Sequence, residues 1–121
     1  PLYKNKKKIF NSPAFNFDEV VKLPNKGVCL ASNKINKIQS LHFEVGETKV
    51  WGLQYHPEIT YEKMINLIEF RKDRLIENRK AFKNNKEVEN HISFIKDEIS
   101  VSDKELRMLE LKNWLESIKL N

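Results

Sequence analysis

The sequence predicts an α/β fold in which strands come first and helices follow. Up to His56 the apolar residues alternate with polar ones or form short runs broken by turn residues, which is typical of β-strands. From Thr60 onward they recur every three or four positions between charged residues, which indicates amphipathic helices. With 121 residues, 40% of them hydrophobic and 32% charged, the chain is long enough for one modest domain.

Three strands are predicted in the first half of the chain. The run "GVCLASN" follows the turn residues of "LPNKG", so we predict a buried strand with Cys29 in its interior. "IQSLHFEVG" alternates, which predicts a half-buried strand with Leu41, Phe43 and Val45 on its apolar face. "GETK" predicts a turn and "VWGLQY" a returning strand, so the last two strands should form a hairpin.

Three helices are predicted after the strands. Thr60 is the expected N-cap of a first helix over residues 61–82, and a second helix is expected over residues 86–99. Ser102 and Glu105 have the spacing of a capping box and predict the start of a third helix. That helix should direct a set of apolar residues toward a partner surface: Leu106, Leu109, Trp114, Leu115 and Ile118.

The composition restricts the class of protein. The net charge of +5 arises from 22 basic and 17 acidic residues, and "KNKKK" near the start contributes to it. No Gly-aromatic signature or Cys/His finger accompanies these lysines, so we expect a solvated basic face and no nucleic-acid partner. A single cysteine excludes an internal disulfide and fits a reducing compartment. No apolar run of about 18 residues and no secretion signal is present, so we expect a cytoplasmic protein without a membrane partner.

The segment "GLQYHPEIT" contains residues that could take part in catalysis. His56 follows the predicted last strand, and Pro57 removes a backbone N–H there, so the imidazole could face a cleft at the end of the strand. Glu58 could hold the tautomer of that imidazole and stabilise its protonated form, as the third group of a nucleophile-His-acid triad does. By itself His-x-Glu fits a structural histidine beside a carboxylate equally well.

The whole phrase "VWGLQYHPEIT", preceded by "LASN" and "IQSLHFEV", resembles the C-terminal portion of class I glutamine amidotransferase domains. The resemblance extends upstream through "FNFDEVVKLPNKGVCLASN", covers roughly residues 1–76 and fits best the stand-alone, GMP-synthetase-like members. It implies the C-terminal half of a flavodoxin-like three-layer domain over residues 1–83. The tail "ELKNWL" is similar to the helical extension of some bacterial members, which implies a helical extension over residues 84–121.

This resemblance implies a Cys-His-Glu triad that hydrolyses the side-chain amide of glutamine and passes ammonia to an acceptor. His56 matches the family's histidine and Glu58 its glutamate. The nucleophile motif Gly-x-Cys-x-Gly does not occur in the sequence, and Cys29 in "GVCLA" lacks the flanking pair of glycines, so we expect Cys29 to be a core residue. Because the sequence begins with Pro1 and not Met, we expect either a removed segment or a longer chain, and an inactive fragment by itself.

Two alternatives stay open. The chain could be a non-catalytic amidotransferase-like module for binding or regulation, since the nucleophile is missing. The helices from Lys86 to Leu120 could also dock on a synthetase partner or on a second copy, giving a homo-oligomer. We expect glutamine as substrate, no cofactor and no metal, because the His, Cys and Asp spacings do not suggest a metal site.

Overall fold

The computed structural model describes residues 1–16 and 18–119. Its elements follow the predicted order, strands before helices, and the mixed α/β class is confirmed. They are β1 Val28–Ala31, β2 Ser40–Val45, β3 Thr48–Leu53, α1 Tyr61–Phe70, α2 Lys72–Glu77, α3 Asn85–Val101, α4 Lys104–Arg107 and α5 Leu109–Lys119. The chain forms two compact units. The sheet unit is Ala14–His56, and the helical unit consists of Pro1–Pro13 and the described residues of Pro57–Asn121.

The sheet unit contains an antiparallel three-stranded sheet in the order β1-β2-β3. Strands β2 and β3 pair from Ser40 with Leu53 to Val45 with Thr48, which confirms the predicted hairpin. Gly46 begins the connecting turn with a φ of 59°, a left-handed conformation that glycine adopts without a steric penalty. This three-stranded antiparallel sheet does not establish the flavodoxin-like arrangement that the resemblance implies, and that arrangement stays a prediction.

In β2 the residues become more exposed from the first to the last position of the strand, and this change is larger than the difference between the two faces. Its first two residues are buried, the middle two are half-buried and the last two are exposed. The apolar face predicted for this strand is therefore only partly correct, since Val45 is 63% exposed. Val45 lies next to the hairpin turn, where few residues can cover it.

Cys29 corrects a second prediction about the sheet. It lies in β1 as expected, but it is exposed. The physical reason is that β1 is an edge strand, with β2 as its neighbour on one side. The Cys29 thiol donates weak hydrogen bonds to the carbonyl oxygens of Ala31 at 3.3 Å and Lys37 at 3.5 Å.

Helix α1 begins where the sequence predicted. Thr60 caps α1, because its hydroxyl accepts a hydrogen bond from the Lys63 amide at 3.1 Å. The single helix predicted over residues 61–82 is instead two helices, α1 and α2, separated at Arg71. Helix α3 is confirmed and slightly longer than predicted, with Asn84 as its N-cap. The buried core of these helices consists of Tyr61, Met64, Ile65, Ile68, Leu75, Val88, Ile92 and Ile95.

The last predicted helix is also divided in two, α4 and α5, with Met108 between them. Its N-cap is Asp103 and not Ser102, because the Asp103 carboxylate accepts hydrogen bonds from the amides of Glu105 and Leu106. Of the apolar residues predicted to face a partner, Leu109 is buried, whereas Trp114 and Ile118 are 42% and 50% exposed. Leu120 and Asn121, at the end of the predicted extension, lie outside the described residues.

The N-terminal residues lie against α5 within the helical unit. The Asn113 amide donates hydrogen bonds to the carbonyl oxygens of Leu2 at 2.8 Å and Lys4 at 3.0 Å. The Lys6 ammonium lies 2.7 Å from a carboxylate oxygen of Glu110, and these side chains are 6% and 0% exposed. The prediction of a solvated basic face is therefore wrong for Lys6. The predicted domain boundary between residues 83 and 84 stays a prediction.

Among the described residues, none of the helices has both the length and the apolar character needed to cross a lipid bilayer.

Candidate active site

His56 follows a backbone segment that is fixed to the rest of the sheet unit. The Gln54 amide donates a hydrogen bond to the Gln39 carbonyl at 2.8 Å. Tyr55 forms an antiparallel bridge with Ala14, and its side chain is only 6% exposed, as expected for a packing residue. His56 itself is half-buried. The candidate base therefore ends a well-anchored segment and is not sealed inside a core.

Pro57 follows His56 in the sequence, belongs to the helical unit and is fully buried. Glu58 is exposed, and Thr60 fixes the start of α1 through its capping hydrogen bond. A buried ring on one side and a helix cap on the other thus restrict the backbone that bears the Glu58 carboxylate. The pairing of the His56 imidazole with that carboxylate stays a prediction.

Arg107 is the residue of this region that the sequence did not indicate. One guanidinium nitrogen, Nη1, donates hydrogen bonds of 2.8 Å to the carbonyl oxygens of both Pro57 and Ile59. These carbonyls belong to the residues on either side of Glu58. The contacts span 50 and 48 sequence positions, so local patterns could not have found them.

A cavity of roughly 260 Å³ lies beside Arg107 in the helical unit, and Tyr61, Glu98 and Lys6 are among its lining residues. Burial raises the pKa of the Tyr61 hydroxyl, the Glu98 carboxylate raises it further, and the Arg107 guanidinium opposes these effects. The phenol is therefore protonated near neutral pH and can donate a hydrogen bond.

The other two histidines, His42 and His91, are half-buried. The His91 ring lies 5.4 Å from that of Phe82 and 6.3 Å from that of Phe94, and burial lowers the pKa of His91. The His42 ring lies 4.9 Å from the ring of Trp51, its partner on β3. The buried Nε2 of His42 has no hydrogen-bond partner among the described residues.

The described part of the chain contains no group of three or more His, Cys, Asp or Glu side chains arranged to hold a metal ion. Cys29, with its thiol directed to two carbonyl oxygens, is the chain's only cysteine.

Comparison with known proteins gives one informative similarity. Over 60 residues the chain is 37% identical to a γ-glutamyl-L-1-hydroxyisopropylamide hydrolase from a Pseudomonas species. The matched segment is 50% of this chain and 20% of the relative, so the chain spans about a fifth of the length of that protein. No family model matches the chain. No solved structure matches it. Part of the chain thus resembles an enzyme whose name states that it hydrolyses a γ-glutamyl amide.

Proposed function

We propose that this chain is the His- and Glu-bearing part of an enzyme of the class I glutamine amidotransferase type that hydrolyses γ-glutamyl amides. The observation that carries the proposal is the 37% identity over 60 residues to a γ-glutamyl amide hydrolase. The phrase "GLQYHPEIT" also supports it, because it resembles the triad strand of that family.

Two substrates share the chemistry. Glutamine is the γ-glutamyl amide of ammonia, and the relative's substrate is the γ-glutamyl amide of a larger amine. In both, a γ-carboxamide carbon is attacked and the bond to nitrogen breaks. The class of substrate is therefore a γ-glutamyl amide. The two candidate substrates differ in the size of the amine that is released.

The proposed mechanism uses His56 as general base and then as general acid. A cysteine thiol gives its proton to the His56 imidazole while its sulfur attacks the amide carbon. The tetrahedral adduct collapses, the carbon–nitrogen bond breaks, and His56 returns the proton to the departing amine. Water then hydrolyses the thioester, which yields glutamate and restores the thiol. Glu58 orients the imidazole and stabilises its protonated form.

We place the nucleophile outside these residues. The Gly-x-Cys-x-Gly elbow does not occur in the sequence, and the Cys29 thiol lies on an edge strand without such an elbow. The enzyme needs another segment of a longer polypeptide, or another chain, to supply the thiol. That requirement agrees with a chain that spans a fifth of its relative.

The missing elbow also favours the second candidate, a non-catalytic module that binds or regulates. The two differ in what is encoded upstream of Pro1. An open frame that continues through a strand, Gly-x-Cys-x-Gly and a helix would support the enzyme, and a start codon directly before Pro1 would favour the module.

The activity test uses the complete polypeptide that includes that upstream frame. We expect it to release ammonia from glutamine or amine from an N-alkyl γ-glutamyl amide. His56→Asn and the elbow Cys→Ala should each abolish release, whereas Cys29→Ser should not. Comparison of the two substrates separates an amidotransferase, which prefers glutamine, from a hydrolase of larger amides. Full activity in His56→Asn would refute the proposal.

A further inference from the structure

Arg107 fixes the backbone on both sides of Glu58. Its Nη1 donates to the Pro57 carbonyl and to the Ile59 carbonyl, each at 2.8 Å, and so spans the residue between them. Hydrogen bonds from a charged donor are roughly twice as strong as neutral ones. Movement of the Pro57 or Ile59 carbonyl away from Nη1 would lengthen one of these two bonds.

Arg107 is itself held firmly. It ends α4, whose N-cap Asp103 accepts hydrogen bonds from the Glu105 and Leu106 amides at 2.8 and 3.4 Å. At the other end of α4, the Lys6 ammonium donates to the carbonyls of Leu106 at 3.1 Å and Arg107 at 3.3 Å. The Lys6 ammonium is in turn paired with the buried Glu110 carboxylate. The guanidinium therefore extends from a backbone that is anchored at both ends.

Arg107 acts on a segment that also has two local restraints. Pro57 is fully buried and Thr60 caps α1, but Glu58 is exposed between them. Arg107 binds the backbone on both sides of Glu58 directly, and so contributes to the position of the carboxylate that this backbone bears.

We propose that Arg107 is a positioning residue for the candidate triad: it fixes the backbone of Pro57–Ile59 so that the Glu58 carboxylate can orient His56. This inference rests on the proposed function. It gives the helical tail a direct part in the active site, because Arg107 lies in the segment that the sequence assigned to a helical extension.

The test is a double-mutant cycle in the complete polypeptide. Arg107→Met removes the donors and the charge but keeps an unbranched apolar side chain. Lys104→Met is the matched control, since it removes the same charge from the exposed start of α4. We expect Arg107→Met to lower kcat by up to about 100-fold with a smaller change in KM, as small misplacements of catalytic groups do. Lys104→Met should leave kcat within about two-fold, as surface substitutions usually do.

The cycle separates positioning from general loss of structure. In a Glu58→Gln background the carboxylate that Arg107 positions is already absent. Adding Arg107→Met to that background should therefore lower kcat by less than about three-fold. An equal loss in both backgrounds, or an Arg107→Met variant as active as Lys104→Met, would overturn the positioning role. If Glu58→Gln itself leaves kcat unchanged, the proposed function fails and the positioning role falls with it.

A spectroscopic measurement is independent of activity. The carbonyl ¹³C resonances of Pro57 and Ile59 should shift in Arg107→Met and not in Lys104→Met, because these carbonyls lose a charged donor. Unchanged carbonyl resonances would overturn the proposal even if the polypeptide hydrolyses γ-glutamyl amides.

Discussion

Lys6 should contribute more to stability than any of the neighbouring lysines, and Lys6→Met tests this. Its ammonium lies 2.7 Å from Glu110 Oε1, 3.1 Å from the Leu106 carbonyl and 3.3 Å from the Arg107 carbonyl. It also lies 4.3 Å from the centre of the Phe10 ring. Removal of the ammonium takes the counter-ion from a carboxylate whose side chain is 0% exposed.

The magnitude follows from that burial. Breaking a buried ion pair by removing one partner costs about 3–5 kcal/mol, because a buried charge loses its compensation. We take about 3 kcal/mol for Lys6→Met, which for a chain of this size lowers the Tm by about 10 °C. Replacing both partners, as Lys6→Met with Glu110→Met, should recover at least half of the loss, since an apolar pair needs no compensation.

The assay is thermal and urea unfolding followed by circular dichroism at 222 nm, which reports the helices. Lys8→Met is the control, because Lys8 is exposed on the same N-terminal segment. It should change the free energy of unfolding by less than about 0.5 kcal/mol. A loss in Lys6→Met no larger than in Lys8→Met would refute the reasoning, since the Glu110 carboxylate would then be equally stable without the ammonium.

Three further substitutions test other contacts. Asn113→Ala should cost about 1–3 kcal/mol because the Leu2 and Lys4 carbonyls lose their donor, and amide exchange in residues 3–6 should accelerate; unchanged exchange would contradict this. Burial lowers the pKa of His91, so the unfolded state binds more protons than the folded state as pH falls below 6.5, and stability falls with it. His91→Phe should flatten that slope in urea unfolding at pH 5 and pH 7, and an identical slope would count against it. Thr60→Ala should lower the free energy of unfolding in urea by about 1 kcal/mol, and Thr60→Ser should lower it much less, because serine keeps the capping hydroxyl. Equal losses in the two variants would show that the capping hydrogen bond contributes little.

The parts of the fold that the sequence predicted correctly depend on neighbouring residues. The hairpin follows from the alternation of apolar and polar residues on both sides of "GETK". The Thr60 hydroxyl accepts a hydrogen bond from the amide of Lys63, which is only three positions later. The helix breaks at Arg71 and Met108 were missed, because the apolar period continues across each of them. Cys29 was misplaced because an apolar run does not show whether its strand lies at the edge of a sheet.

The contacts that the sequence could not predict are long-range and involve backbone acceptors. Lys6 bonds the carbonyls of residues 100 and 101 positions away, and every residue offers such a carbonyl. Nothing in "KNKKK" separates Lys6 from its neighbours, so the simplest interpretation was a solvated face. Arg107 was missed for the same reason. By contrast, His56 and Glu58 could be predicted as site residues because the whole phrase "VWGLQYHPEIT" resembles a family motif, whereas His-x-Glu alone fits a structural histidine equally well.

These long-range contacts change how the helical tail should be tested. Truncation after Ile99 would remove Arg107, Glu110 and Asn113, which bond Pro57–Ile59 and the N-terminal segment. A loss of stability or activity would then follow even if the tail had no partner, so truncation cannot separate docking from anchoring. Charged substitutions at Trp114 and Ile118, which are 42% and 50% exposed, leave these anchors intact. Because these two side chains make none of the anchoring contacts named above, a change in oligomeric state at unchanged helical content would indicate docking directly.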